Sequence, residues 1–176
     1  MRVSRAVRYW TITALISLGL CTSLSHAQVD ESVLAAAYIY NITQFTTWPT
    51  GALANSQLLA CVNGQSSLGI ELGKLAGKSA GGHPWAVAPL EATDNPGKCN
   101  VIVLEKDTSF SKALADNLAS DRPALVISTF DMGSRPWVVR LFTEDSHIRF
   151  DIDRTAAARR HLSLSSRLLS LARNVL

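Results

Sequence analysis

The hydrophobic pattern changes its period within the last third of the chain. Charged residues alternate with Ile148, Phe150 and Ile152, which is the two-residue spacing of a strand with one buried face. After Asp153, whose carboxylate is expected to cap a helix, apolar residues recur at helical spacing to the end of the chain. One predicted helical face contains Leu164, Leu168, Leu171 and Val175. This apolar ending predicts that the terminal helices pack on a sheet formed by earlier strands.

The preceding part of the chain alternates predicted helices with predicted strands. Asp30 is expected to cap a helix that runs to about Thr46, before Pro49. Two further helices are predicted over residues 66–75 and 110–118. The predicted strands cover residues 58–62, 85–90, 101–104, 124–127, 137–143 and 147–153.

The character of these strands predicts the fold class. The strands at 58–62, 101–104 and 124–127 are apolar throughout, so both faces of the sheet should be covered. Pro89 favours an edge position for the strand at 85–90, and the last two strands predict an antiparallel hairpin at the end of the sheet. We therefore expect an α/β fold: a single three-layer domain with a mixed β-sheet flanked by helices, and a C-terminal antiparallel hairpin followed by terminal helices.

The beginning of the chain differs from the rest. Three arginines precede a short apolar core, and Ser25-His26-Ala27 places small residues where a signal peptidase cleaves. We predict a secretory signal peptide over residues 1–27 and one domain over residues 28–176. An uncleaved anchor is the alternative, although the apolar core is shorter than the roughly 20 residues of a transmembrane helix. The mature chain is therefore expected outside the cytoplasm and not inserted in the membrane.

Charge is distributed unevenly along the chain. The formal net charge is +3, and residues 1–27 contain three arginines and no acid, so residues 28–176 are balanced. This balance gives no reason to expect a nucleic-acid partner. Within residues 28–176, every lysine lies at or before Lys112 and every arginine at or after Arg122. The basic C-terminal part predicts either a surface for an acidic partner or lipid headgroups, or an ordinary solvated face.

The candidate chemistry is limited to a cysteine pair and a pair of aspartates. Cys61 and Cys99 are the cysteines of the mature chain, and an isolated pair in a secreted protein predicts a disulfide. A metal pair is the rival interpretation, but no CxxC motif or histidine cluster accompanies it. Asp151 and Asp153 could bind a cation or act as an acid/base pair, although their alternation with Ile152 favours an outward polar face.

No known catalytic motif is present, whether of the GxSxG, P-loop or HExxH type. We therefore predict no catalytic residue, no metal site and no cofactor. The polar loop from Asp131 to Pro136 follows a predicted strand and is expected to be the binding edge of the sheet.

Two segments carry a resemblance to a known family. The segment AAAYIYNITQFTTWP resembles the opening of YfiR-type periplasmic proteins, and IRFDIDRTAAARRHLSLSSRLLSLARNV resembles their ending. Cys61 and Cys99 lie where this family places a cysteine pair, and His161 stands where it has a glycine between the terminal helices. The resemblance extends from about Glu31 to Val175.

This resemblance implies a periplasmic α/β protein without catalytic activity. It implies binding to the periplasmic sensor domain of an inner-membrane diguanylate cyclase of the YfiN type, repression of that enzyme, and lowered cyclic di-GMP. It also implies a Cys61–Cys99 disulfide and contact through the terminal helices. The residues expected to bind the partner are Arg159, Arg160, Arg167, Leu168 and Leu171.

The alternatives at this stage are two other classes of function and a homodimeric assembly. A periplasmic small-solute-binding module would use the loop at 130–136 together with Trp137, and a deep pocket with convergent polar groups would favour it. A homodimer is a further alternative, which an exposed apolar patch would support. A periplasmic enzyme has no support in the sequence.

Overall fold

The computed structural model describes residues 30–53, 57–90, 96–133 and 136–176. The predicted signal peptide lies outside these residues. Across the described ranges, no helix combines the length and the apolar character that a membrane crossing requires.

The elements follow the predicted alternation of helices and strands, with short additional strands. In chain order they are α1 (Glu31–Gln44), β1 (Thr46–Thr47), β2 (Leu58–Val62), α2 (Ser67–Gly73), β3 (Ser79–Ala80), β4 (His83–Pro89), β5 (Val101–Leu104), α3 (Lys112–Ala119), β6 (Leu125–Ser128), β7 (Val139–Glu144), β8 (His147–Ile152), α4 (Arg154–Arg159), β9 (Ser163–Leu164), α5 (Ser166–Leu171) and β10 (Asn174–Val175).

The main sheet is mixed, as predicted. In the described part of the chain its eight strands lie in the order β10-β8-β7-β6-β5-β2-β4-β3. The strands β4, β2, β5, β6 and β7 are parallel to one another, while β7 and β8 form the predicted antiparallel hairpin. Only the two-residue strand β3 lies outside β4, so the strand that contains Pro89 is close to the sheet edge. A separate small sheet pairs β1 with β9.

Both faces of the central strands are buried, which confirms the predicted covering. In β5, Val101 and Val103 point into one core cluster, while Ile102 and Leu104 point into the other. The first cluster receives side chains from α1, α2, α4 and α5. The second receives Leu114 of α3 and contains the disulfide cysteines. The sheet is therefore the middle of three layers.

Both predicted helix caps are present. The Asp30 carboxylate accepts a hydrogen bond from the Ser32 backbone N–H at 2.9 Å, and this bond lowers the pKa of Asp30. The Asp153 carboxylate accepts from the Ala156 N–H at 2.8 Å at the start of α4. The strand–helix junction predicted from the change of period is thus confirmed.

The structure corrects two of the predicted helices. The C-terminal face is wrong because His161 has φ 56° and ends α4, after which the chain forms β9, α5 and β10. Leu168 is buried, but Leu171 is 63% exposed and Val175 43% exposed. The helix predicted over residues 110–118 begins later, because Ser111 is the N-cap of α3. Phe110 therefore precedes the helix, and it is exposed.

Candidate functional site

Arg160, predicted as a partner contact, is inside the protein. Its side chain is only 4% exposed. The guanidinium donates to the Leu118 carbonyl at 2.7 Å and to the Arg122 carbonyl at 3.2 Å. Burial lowers the pKa of Arg160, and the neighbouring charge of Arg159 acts in the same direction. The prediction is wrong for Arg160 because its donors join α4 to the end of α3 and cannot face a partner.

The other predicted contacts divide between core and surface. Leu168 is 2% exposed and belongs to the first core cluster, so its prediction as a contact is wrong as well. Arg159, Arg167 and Leu171 are exposed. Arg167 and Leu171 lie one turn apart on α5, and the Arg167 guanidinium stacks over the Phe45 ring at 5.7 Å. Three of the five residues predicted to bind the partner are therefore accessible on the surface.

Two further exposed apolar residues follow α5 at the end of the chain. Val175 and Leu176 are 43% and 48% exposed, and β10, which contains Val175, lies at one edge of the main sheet. We call Arg167, Leu171, Val175 and Leu176 the terminal patch. Large apolar side chains that remain exposed beside a cation are typical of protein-binding surfaces.

Asp151, predicted to face outward, lies on the side of the hairpin opposite the first core cluster, but it is buried there. Its carboxylate accepts from the Arg140 guanidinium at 2.8 Å and from the Asn174 amide at 2.9 Å. Arg140 also donates to Asp131 at 3.2 Å. Asp153 caps α4 instead of facing Asp151. The two aspartates therefore form neither a cation site nor an acid/base pair, because each carboxylate is engaged in a separate structural bond.

The same side of the hairpin carries stacked cations and rings. Phe142 lies between the guanidinium of Arg140, at 5.3 Å, and that of Arg173, at 4.9 Å. Arg173 is also paired with Glu144 at 2.5 Å. These contacts fasten β10 and the end of the chain to the hairpin.

The loop predicted as a solute-binding edge is only partly described, because residues 134–135 lie outside the described ranges. Asp131 is exposed and bonded to Arg140. Trp137 is only 3% exposed and packs in the second core cluster with Phe130 and Met132. The proposed role of Trp137 in holding a solute is therefore wrong, because the tryptophan fills the core.

Cys61 and Cys99 are joined by a disulfide, with their Cα atoms 5.8 Å apart. Both are buried. Cys61 lies in β2 and Cys99 lies two residues before β5, so the bond joins neighbouring strands of the sheet. Among the described residues, no group of histidine, cysteine, aspartate and glutamate side chains is arranged to hold a metal ion.

A cleft that the sequence did not reveal lies beside this disulfide. It encloses about 340 Å³ where β2, β5 and β6 begin. Buried Asn100 and Asn117 line it, with Cys99, Lys98 and Arg122. The sequence contains only a weak indication of this cleft. Asn100 directly precedes an apolar strand, and Asn117 lies three residues after the buried Leu114 on the inner side of α3.

Comparison with known proteins identifies a family and similar solved structures. The YfiR/HmsC-like family matches residues 32–173. No curated protein matches the sequence significantly. A crystal structure of a conserved domain protein from Vibrio cholerae is similar, with 15% identity and a TM-score of 0.48, over 83% of this chain and 60% of that one. The chain thus spans less than two thirds of that protein.

Proposed function

Because the chain belongs to the YfiR/HmsC-like family, we propose that it is a periplasmic regulatory protein that represses an inner-membrane diguanylate cyclase. It would bind the periplasmic sensor domain of that enzyme and lower cyclic di-GMP. The observation that carries the proposal is the family match, which covers residues 32–173 and therefore nearly the whole domain. We further propose that residues 1–27 are a signal peptide and that residues 28–176 form the mature protein.

The chemistry of the chain supports a binding role outside the cytoplasm. The buried disulfide between Cys61 and Cys99 suits an oxidising compartment. The two aspartates that were considered as an acid/base pair have separate structural roles, since Asp151 pairs with Arg140 while Asp153 caps a helix. A regulator that acts by binding needs a partner surface rather than a reactive group, so no catalytic activity is expected.

We assign the partner contact to the terminal patch together with Arg159. The patch offers exposed leucine and valine side chains for apolar burial and an arginine for electrostatic selection. A complementary partner surface would be apolar with acidic residues at its rim. Arg160 and Leu168 are buried and are therefore not part of this contact.

The proposal is tested by deleting the gene and measuring cyclic di-GMP in the cells. We expect a rise that disappears when the cognate membrane cyclase is also deleted, because repression then has no target. Complementation with the wild-type gene should restore the low level. Unchanged cyclic di-GMP after the single deletion would overturn the repressor function.

The assignment of the surface is tested by complementation with Leu171→Asp, which places a carboxylate in the terminal patch. This variant should fail to restore repression while it accumulates at the wild-type level, because an acidic group there opposes an acidic partner. Ile70→Asp is the matched control, since Ile70 is 54% exposed on α2. If both variants complement equally well, the partner does not use the terminal patch.

A further inference from the structure

The cleft beside the disulfide lies on the side of the sheet covered by α3. It opens where the parallel strands β2, β5 and β6 begin, which is opposite the edge where ligands usually bind in open α/β sheets. Position alone therefore gives no reason to expect a ligand there. The argument rests on the polar groups that the fold buries in this cleft.

Asn100 is a structural residue of the cleft. Its Oδ1 accepts from the Leu59 N–H at 3.0 Å, and its backbone N–H donates to the Leu59 carbonyl at 2.9 Å. Its Nδ2 donates to the Ala52 carbonyl at 3.4 Å. Asn100 thereby holds the beginning of β2 and the loop after α1 in place as one wall of the cleft.

Asn117 lines the same cleft but is not satisfied. Its side chain is 6% exposed, and its Oδ1 is buried without a hydrogen-bond partner among the described residues. A buried amide oxygen without a donor is destabilising, and native proteins seldom retain one without a reason. The terminal torsion of asparagine is broad, so a modest rotation of the amide can present its acceptor to a group in the cleft.

The mouth of the cleft is cationic within the described part of the chain. Lys98 and Arg122 line it and are exposed, and none of the aspartates and glutamates that the structure describes lines it. Neither cation forms a salt bridge with a described residue. Arg122 donates to the Gly97 carbonyl at 2.9 Å, which orients the guanidinium and leaves further donors of its five N–H groups.

The walls between mouth and floor combine apolar residues with the polar side chain of Gln57. The apolar part is formed by Leu59, Cys99, Pro123 and Ala124. The volume of about 340 Å³ is near the lower end of the range for small-molecule pockets. A ligand that fits must therefore be small, with an anionic end, an apolar middle and a hydrogen-bond donor.

We propose that this cleft binds a small organic carboxylate that also carries an amide or hydroxyl hydrogen-bond donor. Its carboxylate pairs with Lys98 and Arg122, its donor reaches the Asn117 oxygen, and its carbon skeleton packs on Leu59. This site goes beyond the proposed regulatory function. It adds a small-molecule input next to Cys99, on the face of the sheet opposite the core cluster that α5 joins.

The test is a nuclear magnetic resonance titration of the oxidised mature protein with N-acetylglycine, which has both required groups. Two matched compounds each lack one of them: N-acetylglycinamide has no carboxylate, and propanoate has no N–H donor. N-acetylglycine should give saturable shifts of the Asn100 and Asn117 signals. The affinity of each matched compound should be lower by a factor of about ten or more. Absence of saturable shifts with N-acetylglycine would overturn the proposal.

Variants then separate the cleft from non-specific anion binding. Lys98→Gln combined with Arg122→Gln should weaken N-acetylglycine binding about tenfold or more, and leave the weak binding of N-acetylglycinamide unchanged. Lys112→Gln is the control, because exposed Lys112 lies on α3 and pairs with Asp116 instead. Asn117→Leu should abolish binding; if it does not fold, the double variant decides. Equal affinities for the double variant and the control would refute the site.

Discussion

Arg160 contributes to stability through carbonyl groups rather than through an opposite charge. Leu118 lies in the last turn of α3, and its carbonyl accepts from Arg160 at 2.7 Å. The last carbonyls of a helix have no partner inside the helix, and a cation near them is favourable. Among the described residues no carboxylate forms a salt bridge with Arg160, so the two carbonyl bonds offset its burial.

We expect Arg160→Met to lower the free energy of unfolding by about 2–3 kcal/mol, because two buried carbonyls lose a charged donor. Urea denaturation of the mature protein measures this change. Arg159→Met is the matched control and should change stability by no more than about 0.5 kcal/mol, since Arg159 is exposed. An equal decrease in the free energy of unfolding for the two variants would show that the hydrogen bonds of Arg160 do not stabilise the fold.

His161 sets the direction of the chain after α4. Its φ of 56° is in the left-handed region, which a non-glycine residue seldom adopts. The resemblance to the YfiR family places a glycine at this position, and glycine is the usual residue after a helix that ends in this conformation. In this chain the same left-handed turn is formed by a histidine, whose side chain is exposed to solvent.

At the scale of elements, one side of the hairpin faces away from the first core cluster, and its side chains are connected by ionic and cation–π contacts. β7 and β8 direct Leu141 and Phe150 into the first core cluster. Their opposite side carries Arg140 and Asp151, whose ion pair is flanked by Asn174 of β10. Such a pair gives orientation more than net stability, because the desolvation of both charges offsets much of their attraction. It positions the last strand, which contains Val175 of the terminal patch.

The disulfide connects β2 to the start of β5 across a sequence separation of 38 residues. In the chain-entropy model a loop of this length corresponds to about 4 kcal/mol of stability. Cys61→Ser combined with Cys99→Ser should therefore lower the melting temperature clearly in a calorimetric scan.

A reductant provides the internal control for this prediction. It should lower the melting temperature of the wild type and leave the double variant unchanged. An unaltered melting temperature in the double variant would mean that the disulfide has no structural role.

At the scale of the whole molecule, export and folding are coupled in our proposal, because the disulfide forms only where oxidation is allowed. Protein recovered from the periplasm should begin at Gln28, which an intact-mass measurement tests directly. Ala27→Arg should leave residues 1–27 attached, because signal peptidases require a small residue there. Recovery of wild-type periplasmic protein that retains residues 1–27 would refute the signal peptide.

Much of the architecture could be predicted from local patterns. The strands at β2, β5 and β6 are recognisable because they are continuously apolar, and Asp30 and Asp153 mark helix starts because their carboxylates accept from the first turn. The candidate sites were less predictable. Arg159 and Arg160 are adjacent and chemically identical, yet one is exposed and the other is buried.

The sequence by itself determined the succession of helices and strands, their buried faces in the centre of the sheet, and the family, since these depend on spacing and on neighbouring residues. Tertiary structure alone decided which polar groups are inside. Arg160, Asp151 and Asn117 are buried because carbonyls, a guanidinium and a cleft wall from distant segments surround them. Tertiary packing also left Leu171 exposed, because the turn at His161 and the pairing of β10 with β8 redirect the chain.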